Sequence, residues 1–413
     1  MKESVVRRNN CSLCGKNDLE LVFPLEPTPP GDHYISHEQL DKIQETYPLN
    51  IALCTSCGHT QLLDVVNPNI LYHDYIYETS ISLGLSEHFE RYADEVMKNV
   101  NPPKGSLVVD IGSNDGTLLK FFQKHGMNVL GVDPAHEIAK KATDAGIETL
   151  PTYFTTELAR KIKKKHGPAS IITANNVIAN IDNLKDMIVG IKELLAPDGV
   201  FVFETGYLVD LIENSLIDNI YHEHLFYYAV KPLKKFFQSH NVELIDVKRV
   251  PTKGGSIRGT VQLANGPHKV SSSVNELISL EERLKLDNSE GIRNFATKMD
   301  GVKDELVNML NDLKNQGKTI VGYGASVGVT TLLYQFDLGG LLNFIVDDNK
   351  SKHNLYSPGF HIPIFSSDVL YEKKPDYVLI LAWRYSDSIM KKHQAFLKQG
   401  GKFIIPLPMV KVI

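Results

Sequence analysis

The sequence predicts an α/β protein in which two doubly wound domains follow a small cysteine-rich region. Its 413 residues exceed what one ordinary hydrophobic core organises, so several domains are expected. Strand-like and helix-like segments alternate twice, once from residue 105 and again from residue 318. Alternation of this kind is typical of parallel sheets covered by helices on both faces. All four cysteines precede the first alternation.

The first alternation predicts the larger of the two α/β domains. Short apolar runs rich in β-branched residues indicate buried strands, and helical periodicity ending at glycine indicates the helices between them. The strands are SLVVDIG, NVLGVDP, SIITANNV and VFVFET, and the helices are GTLLKFFQKHG, HEIAKKATDAG and NLKDMIVGIKELLAPDG. A further helix at 232–240 and two strands, VELIDVKRVP and SIRGTVQLA, follow. With a leading segment that ends in a helix, this domain spans residues 67–270.

The remaining segments divide into three parts. Residues 1–66 are rich in proline, cysteine and turn residues, and they predict a small metal-binding module. Residues 271–317 are charged and helical, which predicts a linker helix. Residues 318–413 repeat the α/β alternation, with the strands KTIVGYGAS, LLNFIVDDN, KPDYVLILAW and KFIIPLP and the helices VTTLLYQF and DSIMKKHQAFLKQG.

Composition excludes several classes of protein. The hydrophobic fraction is 42% and the charged fraction 23%, both ordinary for a soluble globular protein. The sequence has no run of about 18 apolar residues that would predict a membrane span, and MKESVVRRNN lacks the apolar core of a secretory signal. The net charge of −5 argues against a nucleic-acid partner. We therefore expect a cytoplasmic protein, monomeric or homodimeric, that acts on a small molecule.

Two C-x2-C pairs predict a structural zinc site in the N-terminal module. Four thiolates complete a closed tetrahedral site, which leaves no open position for a substrate. Clustered pairs indicate metal binding rather than the dispersed disulfides of secreted proteins. The alternative is four incidental thiols or a redox pair. The predicted zinc ligands are Cys11, Cys14, Cys54 and Cys57.

Polar residues at the ends of the first predicted strands point to a nucleoside ligand. Asp110 ends a buried strand, and a glycine-containing turn then lets the backbone approach a ligand closely. A second acid, Asp133, ends the next strand, where it is placed to bind the two hydroxyls of a ribose. The turn lacks the G-x-G-x-x-G pattern of a dinucleotide loop. One ribose without a phosphate loop favours S-adenosylmethionine (SAM); the alternatives are another nucleotide or no ligand.

The candidate cofactor-binding residues all lie at these strand ends and in the turn after the first strand. They are Asp110, Gly112, Asn114, Asp115, Asp133, Asn175 and Asn176. The turn YGAS at 323–326 is the corresponding feature of the second α/β domain, where Gly322 and Gly324 leave a helix N-terminus accessible to an anion. From the residues alone, an anion site and a tight turn without a ligand fit YGAS equally well.

The segment YHEHLFYY at 221–228 admits three interpretations. A histidine is suited to remove a proton near neutral pH. Two histidines around a glutamate also suggest a metal site, although the spacing is not H-E-x-x-H and more ligands would be needed. Aromatic-rich segments also simply pack in cores. His222 and His224 share one face if the segment is extended, so either is a candidate base.

Together these motifs resemble a known family over nearly the whole chain. The segments that carry the resemblance are CSLC, CTSCGHTQL, DYIYETSIS, DIGSNDGTLL, GVDP, LLAPDGVFVFE, IYHEHLFYY, KGGSIR, GYGAS, LYSPGFHIPI and PDYVLILAW. The chain is similar to the SAM-dependent sugar C-methyltransferases of the dTDP-ketodeoxysugar 3-C-methyltransferase type. That resemblance implies a class I SAM-methyltransferase domain with a Rossmann-like fold, between an N-terminal four-cysteine zinc domain and a second Rossmann-like domain at the C-terminus.

The resemblance also implies that a sugar binds between the methyltransferase and C-terminal domains. A carbon beside a ketone must lose a proton before it attacks the methyl group of SAM, and the resemblance assigns this proton to His224, with His222 as the second candidate. Glu223 would orient the base or hold a sugar hydroxyl, Tyr221 would polarise the ketone or stabilise the enolate, and Tyr77 would lie near the methyl group. The implied substrate-binding residues are Lys253, Arg258, Tyr323, Ser326, Lys352 and Tyr356.

Three positions depart from the family pattern. Asn180 stands where relatives often carry a histidine, so an auxiliary proton role is lost there. Gly328 and Thr330 stand where relatives often offer a lysine and an asparagine to the nucleotide phosphates, while Lys352 and Tyr356 are retained. The predicted function is C-methylation next to the ketone of a nucleotide-linked deoxysugar. The alternatives are SAM-dependent methylation of a different small metabolite on carbon, oxygen or nitrogen with an altered C-terminal ligand, a zinc-bearing binding protein, and an epimerase.

Overall fold

The computed structural model describes residues 4–71 and 84–413. Its N-terminal module is built from short strands and one short helix: β1 Val5–Arg7, β2 Leu19–Phe23, β3 Ile51–Cys54, β4 Thr60–Leu62, β5 Asp64–Val66 and α1 Pro68–Leu71. The strands β2, β3 and β4 form an antiparallel sheet, and β1 pairs with β5. The sequences LELVF and IALC form β2 and β3.

The middle domain alternates strands and helices. Its elements are α2 Leu85–Val100, β6 Leu107–Ile111, α3 Thr117–Lys124, β7 Asn128–Val132, α4 His136–Asp144, β8 Thr149–Leu150, α5 Thr156–His166, β9 Ala169–Asn175, α6 Leu184–Leu194, β10 Leu195–Gly206, α7 Leu208–Glu213, β11 Phe226–Tyr227, α8 Val230–Ser239, β12 Val242–Val250 and β13 Ser256–Leu263. The predicted strands and helices of this domain are all present.

Seven of these strands form one sheet in the order β12-β13-β10-β9-β6-β7-β8. The strands β6 to β10 are parallel, and β13 is antiparallel to both of its neighbours. Every residue of β6 is buried, as expected for a central strand with helices on both faces. Because the strand order reverses between β6 and β9, a crevice forms beyond the carboxyl ends of these strands, where ligands of such sheets bind.

The strand β11 belongs to a different sheet from the rest of its domain. It pairs with β4, Phe226 opposite Gln61 and Tyr227 opposite Thr60, and completes a four-stranded sheet in the N-terminal module. The segment YHEHLFYY therefore ends in a strand that the N-terminal module holds in place.

Two helices, rather than the single predicted linker helix, connect the middle and C-terminal domains: α9 Ser273–Arg283 and α10 Ser289–Asn315. The buried carboxylate of Glu281 fixes α9 to the middle domain, since it accepts hydrogen bonds from the Tyr207 hydroxyl and from the backbone N–H groups of Val230 and Lys231. Helix α10 packs on β2, with the Phe295 ring edge-to-face against Phe23 at 5.9 Å.

The C-terminal domain is a second α/β unit. It contains β14 Ile320–Tyr323, α11 Val327–Gln335, β15 Ile345–Asp347, β16 Ile364–Ser366, α12 Val369–Lys373, β17 Tyr377–Ile380, α13 Ser386–Lys392, α14 Gln394–Lys398, β18 Lys402–Ile405 and β19 Lys411–Val412. The sheet order is β16-β15-β14-β17-β18-β19, parallel except for β19. The helix predicted over DSIMKKHQAFLKQG is broken at His393, a buried residue whose ring nitrogens contact the hydroxyls of Tyr323 and Tyr371.

Short 3-10 helices occupy several connections near the crevices. They are His37–Gln39, Ile217–Asn219, Thr252–Gly254, Lys350–Lys352 and Trp383–Tyr385. Over the ranges 4–71 and 84–413, none of the helices combines the length and the apolar character that a membrane span requires.

Candidate active site

The four predicted zinc ligands converge in the N-terminal module. Their sulfur atoms all lie within 4.8 Å of one another, and the Cys11–Cys57 and Cys14–Cys54 pairs are each 3.6 Å apart. These separations are too long for a disulfide of about 2.05 Å. They match the edges of a tetrahedron, about 3.8 Å, that Zn–S bonds of about 2.3 Å would produce. The donor set therefore fits a closed structural zinc site.

A cavity of about 300 Å³ lies beyond the carboxyl ends of β6, β7 and β9. This is within the usual size range of small-ligand sites. Six of the seven predicted cofactor residues line it: Asp110, Gly112, Asn114, Asp133, Asn175 and Asn176. The seventh, Asp115, is absent from the described lining. Its carboxylate instead accepts hydrogen bonds from the backbone N–H and the hydroxyl of Thr117, which fixes the start of α3.

The turn after β6 approaches the cavity through left-handed backbone. Gly112 has φ 72°, and a Cβ atom there would lie 2.3 Å from the side chain of Val177, so glycine is required on both counts. Asn114 also has positive φ, at 49°, and its backbone N–H donates to Asp133. Asp133 accepts a second hydrogen bond from Ala135, so its carboxylate is held at the edge of the cavity.

Buried polar groups of this cavity indicate a polar ligand. Burial raises the pKa of Asp110 to about 7, although a hydrogen bond from Thr173 acts in the opposite direction. Burial likewise raises the pKa of Asp133. The side-chain amide of Asn175 is buried with the Tyr92 hydroxyl as a polar neighbour, and it makes no hydrogen bond of ordinary geometry among the described residues. Because buried polar atoms are nearly always paired, a ligand hydroxyl or amine is the expected partner. These residues fit the adenosine part of SAM.

A second cavity of about 290 Å³ lies beside the first, between the middle and C-terminal domains. The two cavities share the lining residues Asn176, Asn180 and Lys253. Tyr221 and His224 line the second cavity from one side, and Ser326 and Gly328 at the start of α11 line it from the other. A group transferred from a ligand in the first cavity to one in the second would therefore pass Asn176, Asn180 and Lys253.

Tyr221 and His224 form a hydrogen-bonded pair in the wall of the second cavity. The Tyr221 hydroxyl lies 2.9 Å from His224 Nε2, and the ring centroids are 4.0 Å apart. His224 Nδ1 lies 2.9 Å from the carbonyl oxygen of Asn219. Since only a donor can satisfy that carbonyl, Nδ1 carries the proton and Nε2 has the lone pair. Burial lowers the pKa of His224 to about 4, and the charges of Lys253 and Arg384 add to the effect. The ring is therefore neutral and able to accept a proton at Nε2.

The second candidate base, His222, lies on a different side of the segment. Residues 221–224 form a turn rather than an extended strand, so the two histidines do not share a face. His222 is buried and its Nε2 lies 3.1 Å from the carbonyl oxygen of Tyr47 in the N-terminal module. Glu223 does not line the described part of either cavity. Burial and the nearby Asp32 raise the pKa of Glu223 to about 7, and Lys253 acts against them.

Lys253 reaches the cavities from a strained turn. Its φ of 52° is uncommon for a residue with a side chain, and such strain concentrates at functional sites. The side chain is accessible from the cavities that it lines, but protein surrounds it, and this burial together with Arg384 lowers the pKa of the ammonium group.

Comparisons with known proteins agree with this three-part architecture. Family models match consecutive segments: a zinc binding domain at residues 11–72, a methyltransferase domain at 85–247 and a C-methyltransferase C-terminal domain at 251–408. The C-methyltransferase NovU from Streptomyces niveus is 33% identical over 414 residues, an alignment that covers 100% of this chain and 99% of NovU. The chain belongs to this C-methyltransferase family. It is a SAM-dependent methyltransferase with an N-terminal zinc-binding domain.

Solved structures overlap the C-methyltransferase only in part. A SAM-dependent methyltransferase from Clostridium acetobutylicum is 14% identical, and the match covers 48% of this chain and 95% of that one with a TM-score of 0.35. Magnesium protoporphyrin IX methyltransferase from Synechocystis, solved with S-adenosylhomocysteine, is 13% identical. That match covers 47% of this chain and 91% of the Synechocystis protein, with a TM-score of 0.34. Overlaps at this level add nothing to the assignment.

The residues implied as substrate contacts of this C-methyltransferase are dispersed. Lys253 and Ser326 line the second cavity. Arg258 does not: its guanidinium donates to Glu204, whose side chain is fully buried, and also contacts Glu95 and His88. Arg258 lines neither cavity, and most of its donors are engaged within the protein, so its substrate role stays a prediction of the resemblance.

Three further predicted substrate residues also contact protein groups. The Tyr323 hydroxyl contacts Asp348 and His393. The Lys352 ammonium group donates to Asp32 at 2.5 Å, and the Tyr356 hydroxyl lies 3.2 Å from His37 Nδ1. None of Tyr323, Lys352 and Tyr356 lines either cavity within the described part of the chain. Tyr77, predicted near the methyl group, lies outside the described residues.

Sequence reasoning missed several residues of the second cavity. Arg384 enters from the C-terminal domain, where its Nη1 donates to the carbonyl oxygen of Lys253 at 2.8 Å and its Nη2 lies 3.3 Å from Asp218. Tyr385, Asn219 and Tyr227 also line the cavity. The only local signal was the position of Arg384 just after a predicted strand, at the edge of the sheet where ligands bind.

Proposed function

We propose that this C-methyltransferase methylates a carbon next to the ketone of a nucleotide-linked deoxysugar, with His224 as the base that forms the enolate. The observation that carries the proposal is the shared wall of the two cavities. His224, whose Nε2 contacts the Tyr221 hydroxyl, lines a cavity that meets the cofactor cavity at Asn176, Asn180 and Lys253. A carbon acid held there lies between a proton acceptor and the methyl donor.

The hydrogen bond between Tyr221 and His224 supports separate roles for the two residues: His224 accepts the proton, and Tyr221 stabilises the enolate. When the ketone enters, the Tyr221 hydroxyl turns from Nε2 to the ketone oxygen, which frees the imidazole lone pair. The C–H bond then breaks, its proton moves to Nε2, and its electron pair forms an enolate that Tyr221 stabilises through its O–H group. When bound, SAM supplies a methyl group on a positively charged sulfur, and that sulfur is the leaving group when the carbon takes the methyl. The ammonium group of Lys253 adds positive charge beside the enolate.

The proposal is tested by solvent exchange at the carbon next to the ketone. The substrate is a ketodeoxysugar linked to thymidine diphosphate, in D2O with S-adenosylhomocysteine, and deuterium uptake is followed by mass spectrometry. We expect His224→Asn to slow exchange by about 100-fold or more, the usual contribution of a positioned base. His222→Asn serves as the comparison, and we expect it to retain exchange. SAM binding verifies that each variant is folded. Exchange that persists in His224→Asn and disappears in His222→Asn would reject the assignment.

A second candidate function is SAM-dependent methylation, on carbon, oxygen or nitrogen, of a metabolite without a nucleotide. The packing of α11 favours it. A Cβ atom at Gly328 would lie 2.1 Å from the Asp218 carbonyl oxygen, and the Thr330 hydroxyl donates to Gly31, so neither position presents a charged side chain or a free hydroxyl to phosphates. Turnover of simple ketones or hydroxyl compounds, with none of any nucleotide sugar, would establish this alternative.

A further inference from the structure

The cavity that contains His224 opens into a larger cleft of about 700 Å³. Four residues line both spaces and so form the neck between them: Leu216, Lys253, Arg384 and Tyr385. Two of the four are cations. Asp218 faces the cavity and Glu213 faces the cleft, but Glu213 is paired with Arg249 at 2.7 Å. The neck therefore presents two cationic side chains from two sides, one from each domain, with Asp218 beside Arg384 and with Glu204 and Glu223 acting on Lys253.

Helix α11 brings no cationic side chain to the cavity at its N-terminus, where Ser326, Val327 and Gly328 line the wall. A Cβ atom at Gly31 would lie 2.5 Å from the carbonyl oxygen of Val327, and Gly328 is equally close to Asp218. The hydroxyls of Thr330 and Thr331 donate to the carbonyl oxygens of Gly31 and Ile220. The first turns of α11 are thus packed against two backbone segments, with no cationic side chain on them.

Arg384 is held in position for an anion at the neck. One nitrogen donates to the Lys253 carbonyl at 2.8 Å and another lies 3.3 Å from Asp218. A guanidinium has five N–H donors, so donors remain after both contacts. The side chain is 26% exposed, which leaves these donors accessible from the neck. A fixed guanidinium loses little entropy when it binds a phosphate, and it binds in a bidentate geometry.

An aromatic ring lies next to these cations. Tyr385 is 57% exposed, an unusual exposure for a large ring, and it lines both the cavity and the cleft. An exposed ring beside phosphate-binding cations is suited to stack a nucleobase. The cavity that contains His224 is thus followed by the cationic neck, and the neck by the cleft that Tyr385 lines. A nucleotide sugar has the same order: the sugar, then the diphosphate, then the nucleoside.

We propose that Arg384 and Lys253 bind the diphosphate of a nucleotide-linked substrate at this neck, with the nucleoside in the cleft against Tyr385. This inference rests on the proposed function and specifies its substrate contacts. It assigns diphosphate recognition to the cations of the KGG turn and of the 3-10 helix Trp383–Tyr385 after β17, rather than to α11.

The test measures equilibrium binding of thymidine diphosphate, thymidine and pyrophosphate to the SAM-loaded full-length protein by calorimetry. We expect Arg384→Gln to weaken the binding of thymidine diphosphate and of pyrophosphate by about 10- to 100-fold, the usual loss for a hydrogen-bonded charge pair. Thymidine binding should be unchanged. Tyr385→Ala should weaken the binding of thymidine and of thymidine diphosphate but leave the affinity for pyrophosphate unchanged. Arg160→Gln, on the exposed face of α5, is the matched control and should leave all three affinities unchanged.

Two results would overturn the proposal: wild-type protein that binds neither diphosphate, or Arg384→Gln protein that binds both as tightly as wild type. SAM binding checks the fold of each variant, and Lys253→Met replaces Arg384→Gln under the same criteria if the latter fails to bind SAM. Failure of the proposed function is distinguishable from failure of the neck site. If the proposed function is wrong, deuterium exchange next to the ketone is absent, whatever the affinity for diphosphates. A protein that methylates carbon beside a ketone but ignores diphosphates would reject only the neck site.

Discussion

The proton affinity of His224 is governed by the groups around its ring. Burial lowers its pKa to about 4, Lys253 and Arg384 act in the same direction, and the hydrogen bond to Asn219 acts against them. A group with this pKa is neutral across the physiological range, so Nε2 carries no proton. In the proposed mechanism, the charge that develops on the ring during proton transfer is compensated by the enolate that forms beside it.

We expect Lys253→Met to raise the pKa of His224 toward the ordinary histidine value of about 6.5. Removing a nearby positive charge stabilises the imidazolium, so the shift is upward. An NMR titration of the labelled histidine rings measures it. Lys161→Met removes an exposed lysine of α5 that pairs with Glu157, and it is the matched control. A pKa that stays near 4 in Lys253→Met would contradict the electrostatic contact between Lys253 and His224.

At the scale of elements, β11 links the zinc module to the segment that contains His224. Besides its pairing with β4, the carbonyl oxygen of Leu225 accepts a hydrogen bond from the backbone N–H of Leu62 at 2.9 Å, and His222 contacts Tyr47. The neighbouring strand β3 ends at Cys54, one of the four clustered cysteines. The position of His224 therefore depends on a sheet that the metal site stabilises.

We expect Cys54→Ser to lose its bound zinc. The rate of deuterium exchange at the substrate carbon should fall by about tenfold or more, since supporting residues of a site typically contribute about 10- to 100-fold. SAM affinity should change far less, because the cofactor cavity lies in a separate sheet. Elemental analysis, exchange and SAM binding are measured together. Ser56→Ala, in the same cysteine loop, is the matched control. Full exchange activity in protein without zinc would contradict the dependence.

The contact of α11 with residues 217–219 gives a prediction about stability. Gly328→Ala places a methyl group 2.1 Å from the Asp218 carbonyl oxygen, so backbone must shift, at a cost of about 1–3 kcal/mol in the free energy of unfolding. Gly340→Ala meets no atom within 4 Å and should change stability by less than about 0.5 kcal/mol. Denaturant unfolding of the two variants measures the difference. Equal stability would mean that the two segments separate readily.

For the whole molecule, the sequence predicts what is local in the chain and misses what the fold brings together. The acids at strand ends, such as Asp110 and Asp133, and the paired cysteines are recognisable because short spacings determine where they lie. The contacts of Arg258 were not foreseen because its partners Glu204 and His88 lie far away in the sequence, and no local pattern distinguishes a buried ion pair from a substrate contact.

The same reason applies to the regions where domains meet. The two-residue strand β11 is too short to show an alternating pattern, so its pairing with the N-terminal module was not predicted. Arg384 was overlooked because its importance comes from Lys253 and Asp218, which belong to another domain. Strand and helix order is therefore predictable here, whereas the composition of the second cavity depends on the packing of the middle and C-terminal domains.

The pairing of β11 with β4 also has a consequence for biosynthesis. The ribosome releases the N-terminal module long before β11, so the outer edge of β4 has no partner while the first α/β domain is being made. An unpaired strand edge is a site for association with other chains. Nascent chains that stall within the middle domain would expose this edge, and rare codons or truncations there should promote aggregation more than those placed after residue 228.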